Sequence, residues 1–353
     1  MTNETYIQRR DELVRRQPPF VVVNQNELTP EPGGFLRYGA ALLPLTAEAQ
    51  AAYDRFIGLT NVQKKRVSAS YGGEGVDLFR RELAQTGRGG RPGRVALVAA
   101  GAERVVTAVT PLPDSPVSVA SFFDFVELFA DAQRYEVEAI DGSPDRPGGV
   151  TVRLVPVRPD YADVLPGDAV MTGGCYFRWS LAAVEVGNYY VRLVCANGMM
   201  TTEAQAAGRF HRMDSGIASD YVNGQKWAGA SARNFDRFRV AAVEAAQTQA
   251  SLSEVWAGHE LLVRHGAPAD LAEQLMPYER LLGLYGGRDG HIPAARAKSD
   301  LTMWEAFNRL TDFASHTPLF DAADARRPRL MQEAMGLLNR RRDIQTYYDA
   351  FHP

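Results

Sequence analysis

The strand-forming segments of this chain are grouped in the middle of the sequence, and the helix-forming segments lie before and after them. β-branched and aromatic residues are frequent between about residues 91 and 196, in runs such as RVALVAA, RYEVEAI and GVTVRLVPV. After Gly229 the sequence is rich in Ala, Leu, Glu and Arg, which favours helices. Strands grouped apart from helices predict an α+β fold and argue against a βαβ plan of the Rossmann type.

This grouping predicts an antiparallel sheet of about six strands. We expect a mainly helical N-terminal segment over 1–90, the sheet core over 91–230 and a C-terminal helical region over 231–353. The last region is expected either to continue the core as one domain or to stand apart from it.

The first ninety residues contain three helical patterns: TYIQRRDELVRR, LTAEAQAAYDRFIGL with Thr46 at its N-cap, and VDLFRRELAQT. RGGRPGR then breaks the pattern, because glycine and proline do not continue a helix. RVALVAA and ERVVTAVT predict a hairpin. A further helix is predicted for SVASFFDFVELFADA, whose apolar residues have helical spacing.

The stretch NYYVRLVCANGMM, residues 188–200, predicts a strand that ends at Asn197–Gly198. We expect two strands at about 168–184 and 188–196, joined by a turn at Gly187–Asn188. Alternate residues of a strand share a face. One face is therefore expected to be buried and to carry Tyr189, Val191, Leu193 and Cys195, and the other is expected to carry Tyr190, Arg192 and Val194.

Composition excludes several classes of protein. The net charge of −3 over 353 residues argues against a uniformly basic surface. Two cysteines provide no disulfide framework, and the six histidines form no metal-binding motif, so we expect reduced thiols, no metal and no cofactor. The polar N-terminus and the lack of a long apolar run predict a cytoplasmic protein without a membrane contact.

Basic and aromatic residues are interleaved on both sides of residues 188–200. Positive charge follows phosphates and aromatic rings stack on bases, so this pattern is typical of a groove for single-stranded nucleic acid. The same residues also have structural explanations. These are a half-solvated Tyr190–Arg192 pair, a tight Asn197–Gly198 turn and a set of charges that are merely solvated. The predicted contact residues are Arg178, Trp179, Tyr190, Arg192, Asn197, Arg209, His211, Arg212, Lys226 and Arg233.

Several motifs resemble one family. They are RLVCANGM followed by RFHRMDSG, GDAVMTGG upstream, and LTMWEAFNRLTDFASHTPLFDAADARRPRLMQEAMGLL near the C-terminus. Over roughly residues 90–340 the chain is similar to domain of unknown function 932, or phage/plasmid-like proteins, with the Cys-x-Asn-Gly box at its centre. Members tend to show Asn-Ser-Glu-x-Gly before the box, where this chain has YFRWS. The resemblance implies mobile-element ancestry, an intracellular setting and an α+β fold, but no established reaction.

Three functions are compatible with these observations. The first is a non-enzymatic protein that binds single-stranded nucleic acid in phage or plasmid replication, recombination or annealing, alone or as a homo-oligomer. The second is an enzyme of unknown reaction with a site formed by Arg178, Arg192, Asn197 and His211. The third is a protein–protein interaction module or host-modulating factor, with Met199–Met200 in an apolar docking patch. The absence of a catalytic motif favours the first.

Overall fold

A computed structural model describes most of the chain: residues 1–18, 20–86, 94–100, 105–112, 116–144, 149–192, 198–200, 208–210, 225–285, 297–321, 324, 326–339 and 344. Its helices are α1 Asn3–Arg15, α2 Ala47–Ile57, α3 Asn61–Thr86, α4 Val119–Gln133, α5 Gln225–Ala246, α6 Leu252–Arg264, α7 Ala269–Leu275, α8 Tyr278–Tyr285, α9 Met303–His316 and α10 Arg326–Asn339. Within these ranges, no helix has the length and apolarity that a membrane span requires.

The strands of these described ranges fall into four sheets. Their bounds are β1 Phe20–Asn24, β2 Leu28–Glu31, β3 Phe35–Tyr38, β4 Ala41–Pro44, β5 Arg94–Ala100, β6 Val105–Leu112, β7 Tyr135–Gly142, β8 Val150–Pro156, β9 Asp160–Leu165, β10 Asp168–Thr172, β11 Cys175–Ser180, β12 Ala183–Arg192, β13 Gly198–Met200, β14 Gly208–Phe210, β15 Gln249–Ser251 and β16 Lys298–Thr302.

The largest sheet is antiparallel and has the strand order β7-β8-β11-β12-β10-β9, with β13 and β14 also paired to β12. Helices lie before it and after it in the chain, so the predicted α+β class is confirmed. The predicted hairpin is also confirmed, because β5 and β6 pair antiparallel. This hairpin belongs to a separate three-stranded sheet with β1.

The predicted turn at Gly187–Asn188 is wrong. β12 runs without interruption through both residues, and it pairs with β11 from Ser180–Ala183 to Cys175–Asn188 and then with β10. The chain instead turns at residues 181–182, between β11 and β12. Gly173 and Gly174 separate β10 from β11. Gly187 serves a different purpose in the strand, because a Cβ there would lie 2.5 Å from the Tyr176 ring.

The N-terminal third contains the three predicted helices but also four strands that the sequence analysis did not predict. Thr46 caps α2 as expected, since its side chain accepts a hydrogen bond from the Ala49 nitrogen. β2, β3 and β4 form a small antiparallel sheet, and β1 pairs with β5 across the predicted boundary at residue 90. The description of 1–90 as mainly helical is therefore incomplete, and the division into three parts stays a prediction.

The helix α4 covers one face of the large sheet. Its N-cap is Ser118, and the five apolar residues with helical spacing are all buried: Val119, Phe122, Phe123, Val126 and Phe129. The rings of Phe125 and Phe129 pack on Phe177 of β11 at centroid distances of 5.4 and 4.9 Å. A second apolar core joins the strand end near Tyr190 to the C-terminal helices α5 to α10.

The helix α1 lies against α4 and β7. Within the described residues β7 pairs with β8 alone, and groups of α1 and of the N-terminus reach two of its carbonyl oxygens. The Met1 nitrogen donates to the Val137 oxygen at 3.2 Å, and Arg9 Nη2 donates to the Gly142 oxygen at 3.1 Å. The Tyr6 hydroxyl donates to Glu127 of α4 at 3.0 Å. These contacts hold α1 beside the outer side of β7.

We expect the thiol of Cys175 to be unreactive in the folded protein. The residue is fully buried and free, and burial raises its thiol pKa well above the usual value. In a Cys195→Ser variant, a thiol reagent should label native Cys175 on the order of 100-fold more slowly than the denatured chain, because labelling requires opening of the core. Rapid labelling of the native protein would contradict the burial of β11.

Candidate nucleic-acid interface

Trp179 is not available to a base. It lies in β11, 3% exposed, in the core beneath α4. Its indole nitrogen donates a hydrogen bond to the Val117 main-chain oxygen at 2.9 Å. The ring therefore fixes the entry of α4 against the sheet, and its prediction as a nucleic-acid contact is corrected.

Tyr190 is buried as well, although the alternation of the strand predicts a half-solvated face at this position. Its ring is completely covered and stacks on Phe238 of α5, with centroids 5.1 Å apart and planes 11° apart. Burial, together with the nearby charge of Asp236, raises the pKa of its hydroxyl. Tyr189 is also buried, so both faces of β12 are covered here. A stacking platform at Tyr190 is excluded by this packing.

Arg192 stabilises the fold by an ion pair with a buried carboxylate. Its Nε lies 2.5 Å from Oδ1 of Asp168 in β10, and its side chain is 16% exposed. The other oxygen of Asp168 accepts a hydrogen bond from the Trp304 indole nitrogen at 3.2 Å. Arg192 thus helps to connect the sheet to α9, and its charge is already neutralised.

Arg178 and Arg209 flank one buried glutamate. Glu185 of β12 stands opposite Arg178 of β11 on one side and opposite Arg209 of β14 on the other. The Arg178 guanidinium is half-buried and lies 5.9 Å from the centroid of the Tyr176 ring. For Arg209 the structure gives the position in β14 and not the side chain.

The enzyme alternative requires Arg178 and Arg192 to converge, and the structure keeps them apart. Arg178 is opposite Glu185, and Arg192 lies seven residues further along β12. At about 3.3 Å per residue the two positions are roughly 23 Å apart, and an odd separation places them on opposite faces of the sheet. Within the described ranges, no group of three or more His, Cys, Asp or Glu residues is arranged to hold a metal ion.

Other predicted residues lie outside the described part of the chain. These are Asn197, His211 and Arg212, together with Leu193 and Cys195 of the predicted buried face. Gly198 begins β13, which pairs back onto β12. Met200 of the predicted docking patch is fully buried, so it offers no apolar surface to a partner.

A layer of buried charges between the sheet and α10 was missed by the sequence analysis. Arg153 of β8 donates to Asp141 at 2.9 Å, to Glu138 at 3.1 Å and to the Tyr189 hydroxyl at 2.8 Å. Arg327 of α10 reaches Asp141 at 3.5 Å. Burial alone would lower the pKa of the Arg153 guanidinium, but Tyr189 and the two carboxylates raise it. The charges are paired, which indicates a structural role.

The same layer continues along the sheet. The Tyr176 hydroxyl donates to Glu185 at 2.8 Å and accepts from Gln332 of α10 at 2.7 Å. The signal for this layer was present in the sequence, because TVRLV and AVEVG each carry one charged residue inside an otherwise apolar strand.

The exposed side of α5 carries one of the predicted contact residues, Arg233, in a position open to a ligand. Arg233 is exposed, as are Arg237 and Arg239, and none of the three makes an ion pair within the described residues. Lys226 lies seven residues before Arg233, and Arg237 lies four after it, so these positions share one helical face. The adjacent side of the helix is anchored, since Asn234 donates to Asn188 of β12 at 2.7 Å and Phe238 packs on Tyr190.

Residues 181–341 match the sequence model of a family described as domain of unknown function (DUF932). The match supports the assignment of this part of the chain to the DUF932 family. It begins just before β12 and ends just after α10, and it includes the Cys-x-Asn-Gly box and all of α5. No curated protein and no solved structure matches the chain significantly.

The DUF932 region does not contain its whole sheet. Its longest strand, β12, pairs with β11 and β10, which precede residue 181. GDAVMTGG also precedes the match, and its two glycines form the break between β10 and β11. An added Cβ on Gly174 would lie 2.3 Å from the Tyr189 oxygen, so only glycine fits there without a shift of the backbone. The DUF932 region and the strands before it therefore form one sheet.

Proposed function

We propose that the protein binds single-stranded nucleic acid without catalysing a reaction, and that the exposed face of α5 supplies the phosphate contacts. The observation that carries the proposal is the pair Arg233 and Arg237, exposed on one face and without carboxylate partners among the described residues. Lys226 extends the same face, so the positive positions span about 16 Å along the helix at 1.5 Å per residue.

The burial of Trp179 and Tyr190 changes the kind of binding that is proposed. A site made of arginines without accessible rings contacts the phosphate backbone, which is the same for every sequence. Binding through α5 is therefore expected to depend strongly on salt and little on base composition. Asp236 and Glu244 are also exposed on α5 and limit its net positive charge.

The resemblance to phage/plasmid-like proteins supports the wider role. We propose that the protein acts in the cytoplasm, in replication, recombination or annealing of a mobile element, alone or as a homo-oligomer. The exposed positive charge of α5 supports the binding itself.

Neutralising Arg233 and Arg237 should weaken binding in a way that identifies phosphate contacts. Each phosphate contact that is lost should reduce the slope of log K against log salt by about 0.7. R233Q/R237Q is therefore expected to lower that slope by about 1.4. The measurement is fluorescence anisotropy of a labelled single-stranded oligonucleotide at several salt concentrations between about 50 and 200 mM.

The matched control removes two positive charges from surface arginines outside α5. Arg264 and Arg280 are exposed, and each lies near a carboxylate, at 3.7 Å from Glu333 and 3.6 Å from Asp300. R264Q/R280Q should leave the slope close to that of the wild type. If both double variants lower the slope equally, α5 is not a specific site. If the wild type does not bind at the lowest salt, the proposed function is wrong.

A further inference from the structure

We propose that residues 61–75 of α3, here called the α3 arm, form a second contact for single-stranded nucleic acid, and that Tyr71 stacks on a base. This inference rests on the proposed function. It adds the base contact that the arginines of α5 do not supply and that Tyr190 and Trp179 are too buried to make.

The α3 arm is open to solvent. Every residue from 61 to 75 is exposed or half-exposed, and the first buried residue of α3 is Arg80, which pairs with Asp54. Further along, Arg81 donates to Glu31 of β2 at 2.9 Å. The second half of α3 therefore anchors the helix, and the first half presents its side chains to solvent.

The charge of the α3 arm fits a polyanion. Lys64, Lys65 and Arg66 are its charged residues before Glu74. Lys64 pairs with Asp54 of α2 at 2.7 Å, which tethers the start of the arm. Lys65 and Arg66 are exposed and make no ion pair in the part of the chain that the structure describes. Lys65 and Arg66 lie six and five residues before Tyr71 in the same arm, so a single strand that runs along the arm can contact both the cations and the ring.

The backbone fixes the position of Tyr71. Gly72, with φ of +68° and ψ of −166°, interrupts the helix directly after it. Gly75 then comes so close that an added Cβ would lie 2.3 Å from the Cβ of Tyr71. Even so, Tyr71 is 75% exposed. Tyr71 thus lies at a defined break in the helix, and its ring is open to a ligand.

A second exposed tyrosine, Tyr161, differs from Tyr71 in the charge of its neighbours, and this charge makes it a poorer contact for nucleic acid. Tyr161 of β9 is 52% exposed, but Asp160 and Asp163 lie beside it in the strand. Carboxylates repel phosphates, so this ring is unsuited to nucleic acid. Tyr161 therefore provides a matched control for Tyr71.

The test compares Tyr71→Ala, Tyr71→Phe and Tyr161→Ala in binding to a labelled single-stranded oligonucleotide at several salt concentrations. Tyr71→Ala is expected to reduce affinity about five- to 150-fold without changing the salt slope, because stacking releases no counterions. Tyr71→Phe should retain affinity, and Tyr161→Ala should behave as the wild type. K65Q/R66Q should lower the slope by about 1.4.

The outcomes separate this inference from the α5 proposal. If Tyr71→Ala and K65Q/R66Q both bind as the wild type while R233Q/R237Q does not, the α3 arm is not a contact. The reverse result would support the arm and contradict α5. If the wild type does not bind, both fail. A change in sedimentation mass on Tyr71→Ala, with affinity unaltered, would make the arm a self-association surface and overturn the inference.

Discussion

Replacing Arg153 with methionine is expected to lower the free energy of unfolding by about 3–5 kcal/mol, because the change leaves a buried carboxylate without its main partner. Asp141 is 1% exposed, and without Arg153 its one remaining ion pair among the described residues is the longer contact to Arg327 at 3.5 Å. Urea denaturation of the wild type and the variant measures the difference. The double variant R153M/D141N should be less destabilised than the sum of the two single changes.

A surface ion pair provides the control. Arg37 and Glu31 are also paired across antiparallel strands, with Nε 2.7 Å from the carboxylate, but the Arg37 side chain is 53% exposed. Arg37→Met should cost about 1 kcal/mol or less. If Arg153→Met costs no more than Arg37→Met, the layer between the sheet and α10 is solvated and the packing of α10 is different from that described.

Gly187→Ala is the second change with a large expected effect, a loss of about 1–3 kcal/mol from overpacking. The new Cβ would lie 2.5 Å from three atoms of the Tyr176 side chain. The ring cannot move aside easily, because its hydroxyl is bonded to Glu185 at 2.8 Å and to Gln332 at 2.7 Å. Thermal or urea unfolding measures the loss.

A glycine-to-alanine change elsewhere in the chain should instead raise the free energy of unfolding. Gly336 lies inside α10, and a Cβ there would meet no atom within 4 Å. Gly336→Ala is expected to stabilise the protein by up to about 1 kcal/mol, because alanine favours the helix. In a Tyr176→Leu background, Gly187→Ala should cost less, since the shorter side chain leaves room. Equal effects of Gly187→Ala and Gly336→Ala would show that Gly187 is not in contact with Tyr176.

Elements with strong local signals were predicted well from the sequence. α4 has an N-cap serine and a regular apolar face, and the hairpin of β5 and β6 has two β-branched runs close together. The strands β1 to β4 were missed for two reasons. The partner strand of β1 is distant in the sequence, and β2 to β4 are short and rich in proline and glycine in and between the strands. β1 pairs with β5, about seventy residues later in the chain, and no local pattern reports such a partner.

The error at Gly187–Asn188 has a physical cause. Glycine followed by asparagine is typical of a turn, but here each residue meets a tertiary requirement. Gly187 makes room for the ring of Tyr176, and buried Asn188 donates to Ser231 of α5 at 2.7 Å. Contacts between β11, β12 and α5 thus override the local preference.

The candidate site was only partly predictable. The cluster of arginines at 233–239 is visible in the sequence, and so is its position on a helix. The burial of Tyr190 is not visible, because strand alternation assigns one face to solvent while α5 covers it. Tyr71 was overlooked because a single tyrosine before glycines has no distinctive pattern, and only its 75% exposure on the same arm as Lys65 and Arg66 shows its potential.

The position of α1 beside β7 also limits how copies of this protein can associate. An outermost strand with free main-chain groups can pair with the same strand of another molecule, which leads to aggregation or to a continuous intermolecular sheet. At β7 the Val137 and Gly142 oxygens already accept hydrogen bonds from Met1 and Arg9. Pairing of β7 with the same strand of another copy would therefore require α1 to move away and these hydrogen bonds to break.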